Sequence, residues 1–226
     1  MAKNVLSLTS TQTHPPRLVL VGGMPGSGKT HFATAICAAF SCSVYLDKDT
    51  LSNNFCNAIL PLLGSARQDS HSASYLKYFS DIEYKTLFEV ALENIQLGRS
   101  VVCSAPFTKE FMGSNSELLD ALQGIPNILV KKIWLHVESA VAQERVRARA
   151  ASRDAWKINN WAQYLQTARY RSPAADSNLL VLDNSGSKDE VFQENLIKTL
   201  RFINADTPAD GHLYSENSTL LHPYAN

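Results

Sequence analysis

No apolar run in this sequence approaches the ~18 residues that a membrane-spanning helix needs, so none is expected. There is no surplus of charge of either sign, since 21 Lys and Arg balance 21 Asp and Glu. A globally basic nucleic-acid binder is therefore not indicated, and only a local patch would serve that purpose. Cysteine is scarce: Cys37, Cys42, Cys56 and Cys103 form no CxxC pair and have no metal-ligand spacing. No structural metal is expected, and the thiols read as reduced in a cytoplasmic protein. Residues 1–16 lack the apolar stretch of a signal peptide, and the final HPYAN carries no prenylation or retention signal.

What is present suits one α/β domain. The 226 residues are 45% apolar, enough for one sizeable core. Short apolar, β-branched runs at 17–22, 43–47, 100–104, 128–137 and 178–183 read as buried strands. Between them, 31–40, 51–63, 81–97, 114–123, 139–150, 158–171 and 188–204 read as helices, with 64–74 as a loop. In 81–97 the residues Ile82, Leu87, Val90, Ala91, Asn94 and Ile95 recur with a 3.6-residue period, and Gly98 is placed to stop the helix. Alternating strands and helices predict a three-layer α/β sandwich: a five-stranded parallel sheet with helices on both faces. The polar segment 1–16 is expected to be a flexible arm. The segment 205–226, with three acids and no Lys or Arg, is expected to be a loosely packed tail.

The most informative stretch is Gly23-Met24-Pro25-Gly26-Ser27-Gly28-Lys29-Thr30. It matches G-x-x-x-x-G-K-[ST] in full and lies between a strand and a helix. Glycines at 23, 26 and 28 permit positive φ and leave no side chain between backbone and phosphate. Successive N–H groups can then point inward at an anion, and the following helix adds its positive end. Lys29 brings a mobile cation for the β and γ phosphates, and Thr30 brings a hydroxyl for Mg²⁺. The expected cofactors are ATP and Mg²⁺.

Asp47 and Asp49 close the second strand, at the carboxyl end where ligands bind in open α/β sheets. A carboxylate there can orient an acceptor hydroxyl and take its proton, worth ~10²–10⁴ in rate. Alternatively, Asp49 simply caps the helix expected from Leu51. GMPGSGKT followed some twenty residues later by Leu46-Asp47-Lys48-Asp49-Thr50-Leu51 resembles the P-loop small-molecule kinases: zeta toxins, chloramphenicol phosphotransferase and the kinase domain of phage polynucleotide kinase. The resemblance spans roughly residues 17–200, and only the P-loop in it is highly specific. It implies a kinase domain over 17–204, with Asp49 at the position that contacts the acceptor hydroxyl.

Residues 131–171 carry nine Lys or Arg and three acids, a local charge of +6. Arg145, Arg149 and Arg153 recur every four residues, which would place them on one helix face. Guanidinium groups grip phosphate oxygens with paired hydrogen bonds. The same run would equally make a solvated basic face partly paired with Glu144. The resemblance implies an arginine-rich helical lid over about 138–172, closing on ATP with Arg149 and Arg153, then Arg145. The strand at 100–104 ends in Ser104 where many P-loop enzymes carry an acid for Mg²⁺, so Asp47 or Ser104 is left to take that role. After the last strand, Asn184 and Ser185 either meet the adenine or form a plain turn. Asn53, Asn54, Arg67, His71, Tyr75, Tyr78 and Tyr84, with the segment 106–109, are candidates for the acceptor pocket. His136, Trp134, Trp156 and Trp161 read as packing residues.

The function expected is transfer of the γ-phosphate of ATP to a hydroxyl of a small-molecule metabolite or antibiotic. Two rivals stand beside it. One is a polynucleotide 5′-hydroxyl kinase, which needs a basic, aromatic channel. The other is a nucleotide-switched binding module, favoured by the missing acid after the third strand.

Overall fold

The computed structural model describes residues 15–40, 43–67, 70, 72–112, 122, 125, 128–166, 173, 178–186 and 188–205. Nearly all of the arm at 1–16 and the tail at 205–226, with His71, Cys42 and nearly all of the helix expected at 114–123, lie outside them.

Strand β1 (Arg17–Gly23) is buried along its whole length, as a central parallel strand must be. Its alternation divides the core between the two sheet faces. Leu18 and Leu20 pack with Leu87, Phe88, Ala91, Ile95 and Trp134. Val19 and Val21 pack on the other side with Phe32, Ala33, Ile36 and Ile203. With β2 (Ser43–Asp47), β3 (Ser100–Ser104), β4 (Leu129–His136) and β5 (Leu179–Asp183), β1 forms a five-stranded sheet in the order β2-β3-β1-β4-β5. Every pairing is parallel. Because β1 sits between β3 and β4, the chain turns to opposite sides of its carboxyl end, the place where such sheets open a crevice.

The expected architecture is present, with informative differences at the element ends. Helix α1 spans Lys29–Ala39. Helix α2 (Lys48–Ile59) begins three residues earlier than the apolar pattern suggests, because Asp47 caps it: Oδ1 accepts the Thr50 N–H at 3.0 Å. Asp49 is therefore in the first helical turn and is not the cap. A 3₁₀ turn at Leu60–Leu63, with Pro61 at its start, follows α2. The loop expected at 64–74 gives way to α3 (Ala73–Tyr78), capped by the Ser72 hydroxyl, which accepts the Tyr75 N–H at 3.1 Å.

Helix α4 (Ser80–Gln96) buries Glu83, Leu87, Phe88, Ala91 and Ile95. Ile82, expected on the apolar face, is 62% exposed instead. Gly98, at φ 77°, ends the helix as expected, with its N–H on Ile95 O at 2.8 Å. Helix α5 is Thr108–Met112. Helix α6 (Ser139–Arg149) stops where Ala150 turns left-handed at φ 49°. A 3₁₀ turn (Ser152–Asp154), α7 (Ala155–Asn159) and α8 (Trp161–Gln166) follow. The single helix expected from 158 is thus broken at Asn160, and Arg153 does not share a helix with Arg145 and Arg149. The break at Ala150 carries it onto a separate turn. Helix α9 (Lys188–Asn204) closes the described chain. Among the described residues no helix is long and apolar enough to cross a membrane, and Cys37, Cys56 and Cys103 are free thiols.

Candidate active site

The carboxyl end of β1 runs straight into the glycine-rich turn. Gly26 and Gly28 take φ 81° and 85°, a region costly for other residues. A Cβ on Gly26 would also come within 2.6 Å of the Ala142 carbonyl oxygen, so α6 packs directly on the loop. The carbonyls of the loop are tied down from outside. Arg145 Nη1 donates to Gly26 O at 3.3 Å and to Asn184 O at 2.9 Å, and Asn184 Nδ2 donates to Ser27 O at 2.7 Å. Arg145 and Asn184, two expected nucleotide contacts, are here braces of the P-loop backbone.

Lys29 opens α1 and points back, with Nζ 3.4 Å from Met24 O. Withdrawal from water, partly offset by Asp49, pushes its ammonium down to about 8. Gly23, Met24, Pro25, Lys29, Thr30, Asp47, Asp49, Arg149 and Arg153 line one cleft. Residues from three separate stretches of the sequence, expected to act together, therefore meet.

At the end of β2, Asp47 Oδ2 accepts the Tyr45 hydroxyl at 3.2 Å. Burial, then the Asp47 charge, pushes that hydroxyl well above its ordinary value. Ser104 pairs with Asp47 across the strands. Its Oγ is buried and makes no hydrogen bond of ordinary geometry, although Tyr45 is close enough to feel it. Thr30, Asp47 and Ser104 thus supply hydroxyl and carboxylate oxygens at one place, the donor chemistry that Mg²⁺ favours. The residues fit the ion, and Ser104 stands where the expected acid is missing. Among the described residues no cluster of three or more His, Cys, Asp or Glu offers another metal site.

Two cations meet the carboxylate of Asp49. Its Oδ1 lies 3.2 Å from Lys48 Nζ, and its Oδ2 accepts from Arg153. Desolvation alone would raise its carboxyl. Lys48 first and Arg153 next outweigh that, and the group lies below its ordinary range. Arg149 and Lys157 converge on Asp154, which is fully buried: Arg149 Nη2 and Lys157 Nζ lie 2.6 and 3.0 Å from its oxygens. Burial would raise this carboxyl too, but Lys157 and Arg149 bring it below the usual range. Asp154 therefore anchors the turn that presents Arg153.

Of the acceptor candidates, Asn53, Tyr75, Tyr84, Pro106, Thr108 and Lys109 line the cleft. Asn54, Arg67 and Tyr78 are exposed outside it. Trp134 and Trp161 are buried packing residues, as expected, whereas Trp156 is 37% exposed. Sequence reasoning passed over Glu83, Lys157 and Asp154. The signal for Glu83 was available: it precedes Leu87 by one helical turn, so it lies on the buried stripe.

The sequence profile of the AAA domain family matches residues 18–173, the stretch that holds all of β1 but its first residue, β2 to β4, and every residue of this cleft. The chain belongs to the AAA domain family. Comparison with curated proteins gives no match. Among solved structures, this AAA domain is similar to a provisionally named kinase of Chloroflexus aurantiacus, with TM-score 0.60, 19% identity, and 86% of this chain and 100% of that one covered. It is also similar to a sugar kinase of Janibacter sp. HTCC2649, with TM-score 0.57, 19% identity and coverages of 86% and 98%. An APS kinase of Mycobacterium tuberculosis, solved with AMPPNP and APS, gives TM-score 0.53, 17% identity and coverages of 84% and 99%. The fold of this AAA domain is that of the P-loop kinases.

Proposed function

We propose that this protein transfers the γ-phosphoryl group of ATP to a hydroxyl of a small molecule. The observation that carries the proposal is the meeting of Lys29, Asp49, Arg149 and Arg153 on one cleft. An anion site and a carboxylate that face each other are what phosphoryl transfer requires, and a nucleotide switch has no need of the carboxylate. The kinase-like fold and the AMPPNP bound to the similar APS kinase support the same reading.

Bound ATP with Mg²⁺ would supply the phosphoryl group and part of the neutralising charge. The ion would be held by Thr30 and Asp47, with Ser104 beside them. Lys29 and the two arginines offset the charge that spreads over the phosphoryl oxygens, an electrostatic contribution that can reach ~10³–10⁵ for one arginine. Gly23 to Gly28 supply backbone room and N–H groups at the phosphates. Asp49 orients the acceptor hydroxyl and takes its proton as the oxygen bonds to phosphorus and the bond from that phosphorus to the departing ADP breaks. A carboxylate kept ionised by its neighbours is well suited to orient, and it receives the proton only once the hydroxyl has become acidic. Asn53, Tyr75 and Tyr84 face the acceptor.

The test is phosphate transfer from γ-labelled ATP with Mg²⁺ to pooled metabolites, nucleosides, antibiotics and a 5′-hydroxyl oligonucleotide. Label on a small molecule is the expected outcome. Label on the oligonucleotide instead would establish the polynucleotide rival. Once an acceptor is known, Asp49→Asn should lower kcat by ~10²–10⁴ with nucleotide affinity near that of the wild type. Full activity in that variant would remove Asp49 from its role.

A further inference from the structure

We infer that Lys48 is a positioning residue, its ammonium clamped between Glu83 and Asp49 so that the Asp49 carboxylate is held in place at the cleft. The inference rests on the role proposed for Asp49 and adds residues that neither the P-loop nor the arginine run points to.

The geometry is specific. Lys48 Nζ lies 2.5 Å from Glu83 Oε2, 3.2 Å from Asp49 Oδ1 and 3.4 Å from the Tyr75 hydroxyl. It also sits 5.9 Å from the centre of the Tyr84 ring. The side chains of Lys48 and Glu83 are 7% and 5% exposed, whereas Asp49 is 37% exposed. Adjacent residues on a helix diverge by about 100° and do not normally meet. Lys48 and Asp49 do meet, because Glu83 on α4 draws the ammonium over the start of α2.

Glu83 is committed to this task. Oε2 accepts from Lys48 and Tyr75, and Oε1 accepts from Ser52 at 2.7 Å and Cys56 at 3.3 Å. With four donors around it, Glu83 has little capacity left for a substrate, and the cleft is left with Asp47 and Asp49 as its acids beside the phosphate loop. The anchor draws on α2, α3 and α4 at once.

The groups facing Asp49 are Lys48 on its own helix, Arg153 on the 3₁₀ turn and Lys29 on α1, with Glu83 and Tyr75 behind Lys48. Removing Lys48 would leave two carboxylates confronting each other with a cation lost, and like charges repel, so the Asp49 carboxylate would be drawn from its place. A merely structural ion pair joining α2 to α4 would affect folding and would change kcat equally with or without the Asp49 carboxylate.

The experiment is a double-mutant cycle on the full chain, read as kcat and KM of Mg-ATP hydrolysis, in which water stands for the acceptor hydroxyl, with thermal melts beside it. Lys48→Met is the direct variant. Because it strands Glu83, the double variant Lys48→Met with Glu83→Gln removes both charges together and better preserves the fold. The expected result is kcat about tenfold lower in the double variant with nucleotide affinity unchanged, and little further loss when the same two substitutions are made in Asp49→Asn. Glu83→Gln alone should also lower kcat, since the ammonium remains while its anchor is gone. A folded double variant with the wild-type kcat, or an equal loss with and without the Asp49 carboxylate, would overturn the inference. If Asp49→Asn hydrolyses Mg-ATP at the wild-type rate, the role of Asp49 itself falls, and the positioning role with it.

Discussion

The two ends of the cleft are built by opposite means. At the P-loop end, Met24 to Gly28 turn between β1 and α1, and the chemistry there is mostly backbone, with Lys29 and Thr30 added. At the Asp49 end, the chemistry belongs to side chains drawn from distant places: Glu83 reaches Lys48 across 35 residues, and Arg153 reaches Asp49 across 104. The loop is held by sterics and by the braces from Arg145 and Asn184. The Asp49 end is held by compensated charge, which works only while α4 and the 152–154 turn stay packed. A geometry set by glycine φ angles should be insensitive to pH and salt, and a geometry set by ion pairs near the surface should not be.

The largest expected effect comes from removing the one cation that belongs to the loop. Lys29→Ala should cut phosphoryl transfer by about 10³ or more without lowering the melting temperature at neutral pH, because the ammonium hydrogen-bonds Met24 O and its withdrawal from water disfavours the charge it carries. Turnover within tenfold of the wild type would show that the loop end carries less of the chemistry than the comparison demands.

Next in size is the pH response of nucleotide binding. Lys29 in the folded chain gives up its proton near pH 8, so the fraction still charged at pH 9 is about one in eleven. Phosphate needs the charged form. Calorimetric affinity for ATP with Mg²⁺ should therefore be about tenfold weaker at pH 9 than at pH 7, with proton uptake on binding. The sign for folding is the reverse: the folded chain loses this proton before the unfolded one, so the contribution of Lys29 to stability rises as pH increases from 8 toward 10.5. Asp49, held below its ordinary range, stays ionised throughout and adds no slope. Equal affinities at the two pH values would mean that the loop does not depress Lys29.

The smallest effect should lie at the acceptor. Asn53→Ala removes one carboxamide from the cleft wall. It should raise the KM for the acceptor about fivefold, the equivalent of ~1 kcal/mol for one hydrogen bond, while ATP affinity stays constant. A change in ATP affinity instead would show that the two ends are less separate than their construction suggests.

Much of the site was legible in advance, and the misses share a cause. The P-loop, the strand before it, the helix after it and the acids ending β2 were all visible as local patterns. Asp49 appeared as a possible helix cap, yet Asp47 caps and Asp49 faces the cleft, because the hydrogen bond to Thr50 starts the helix earlier than apolar periodicity indicates. The arginine stripe was counted along one helix, but the left-handed turn at Ala150 moves Arg153 off it and onto Asp49. Ile82 and Glu83 exchanged places because side-chain polarity predicts burial only when no partner waits in the core.

The sequence by itself determined the strand–helix alternation and the phosphate loop, since both follow from short-range physics: hydrophobic period, β-branching, and the φ freedom of glycine at fixed positions. Only the tertiary structure decided the strand order, the bracing of the loop by Arg145 and Asn184, the sealing of Glu83 beneath Lys48, and the pairing of Arg153 with Asp49. Those contacts are electrostatic and steric meetings between residues far apart in the chain. Their strength depends on distance and burial, and neither exists until the sheet has brought its carboxyl ends together.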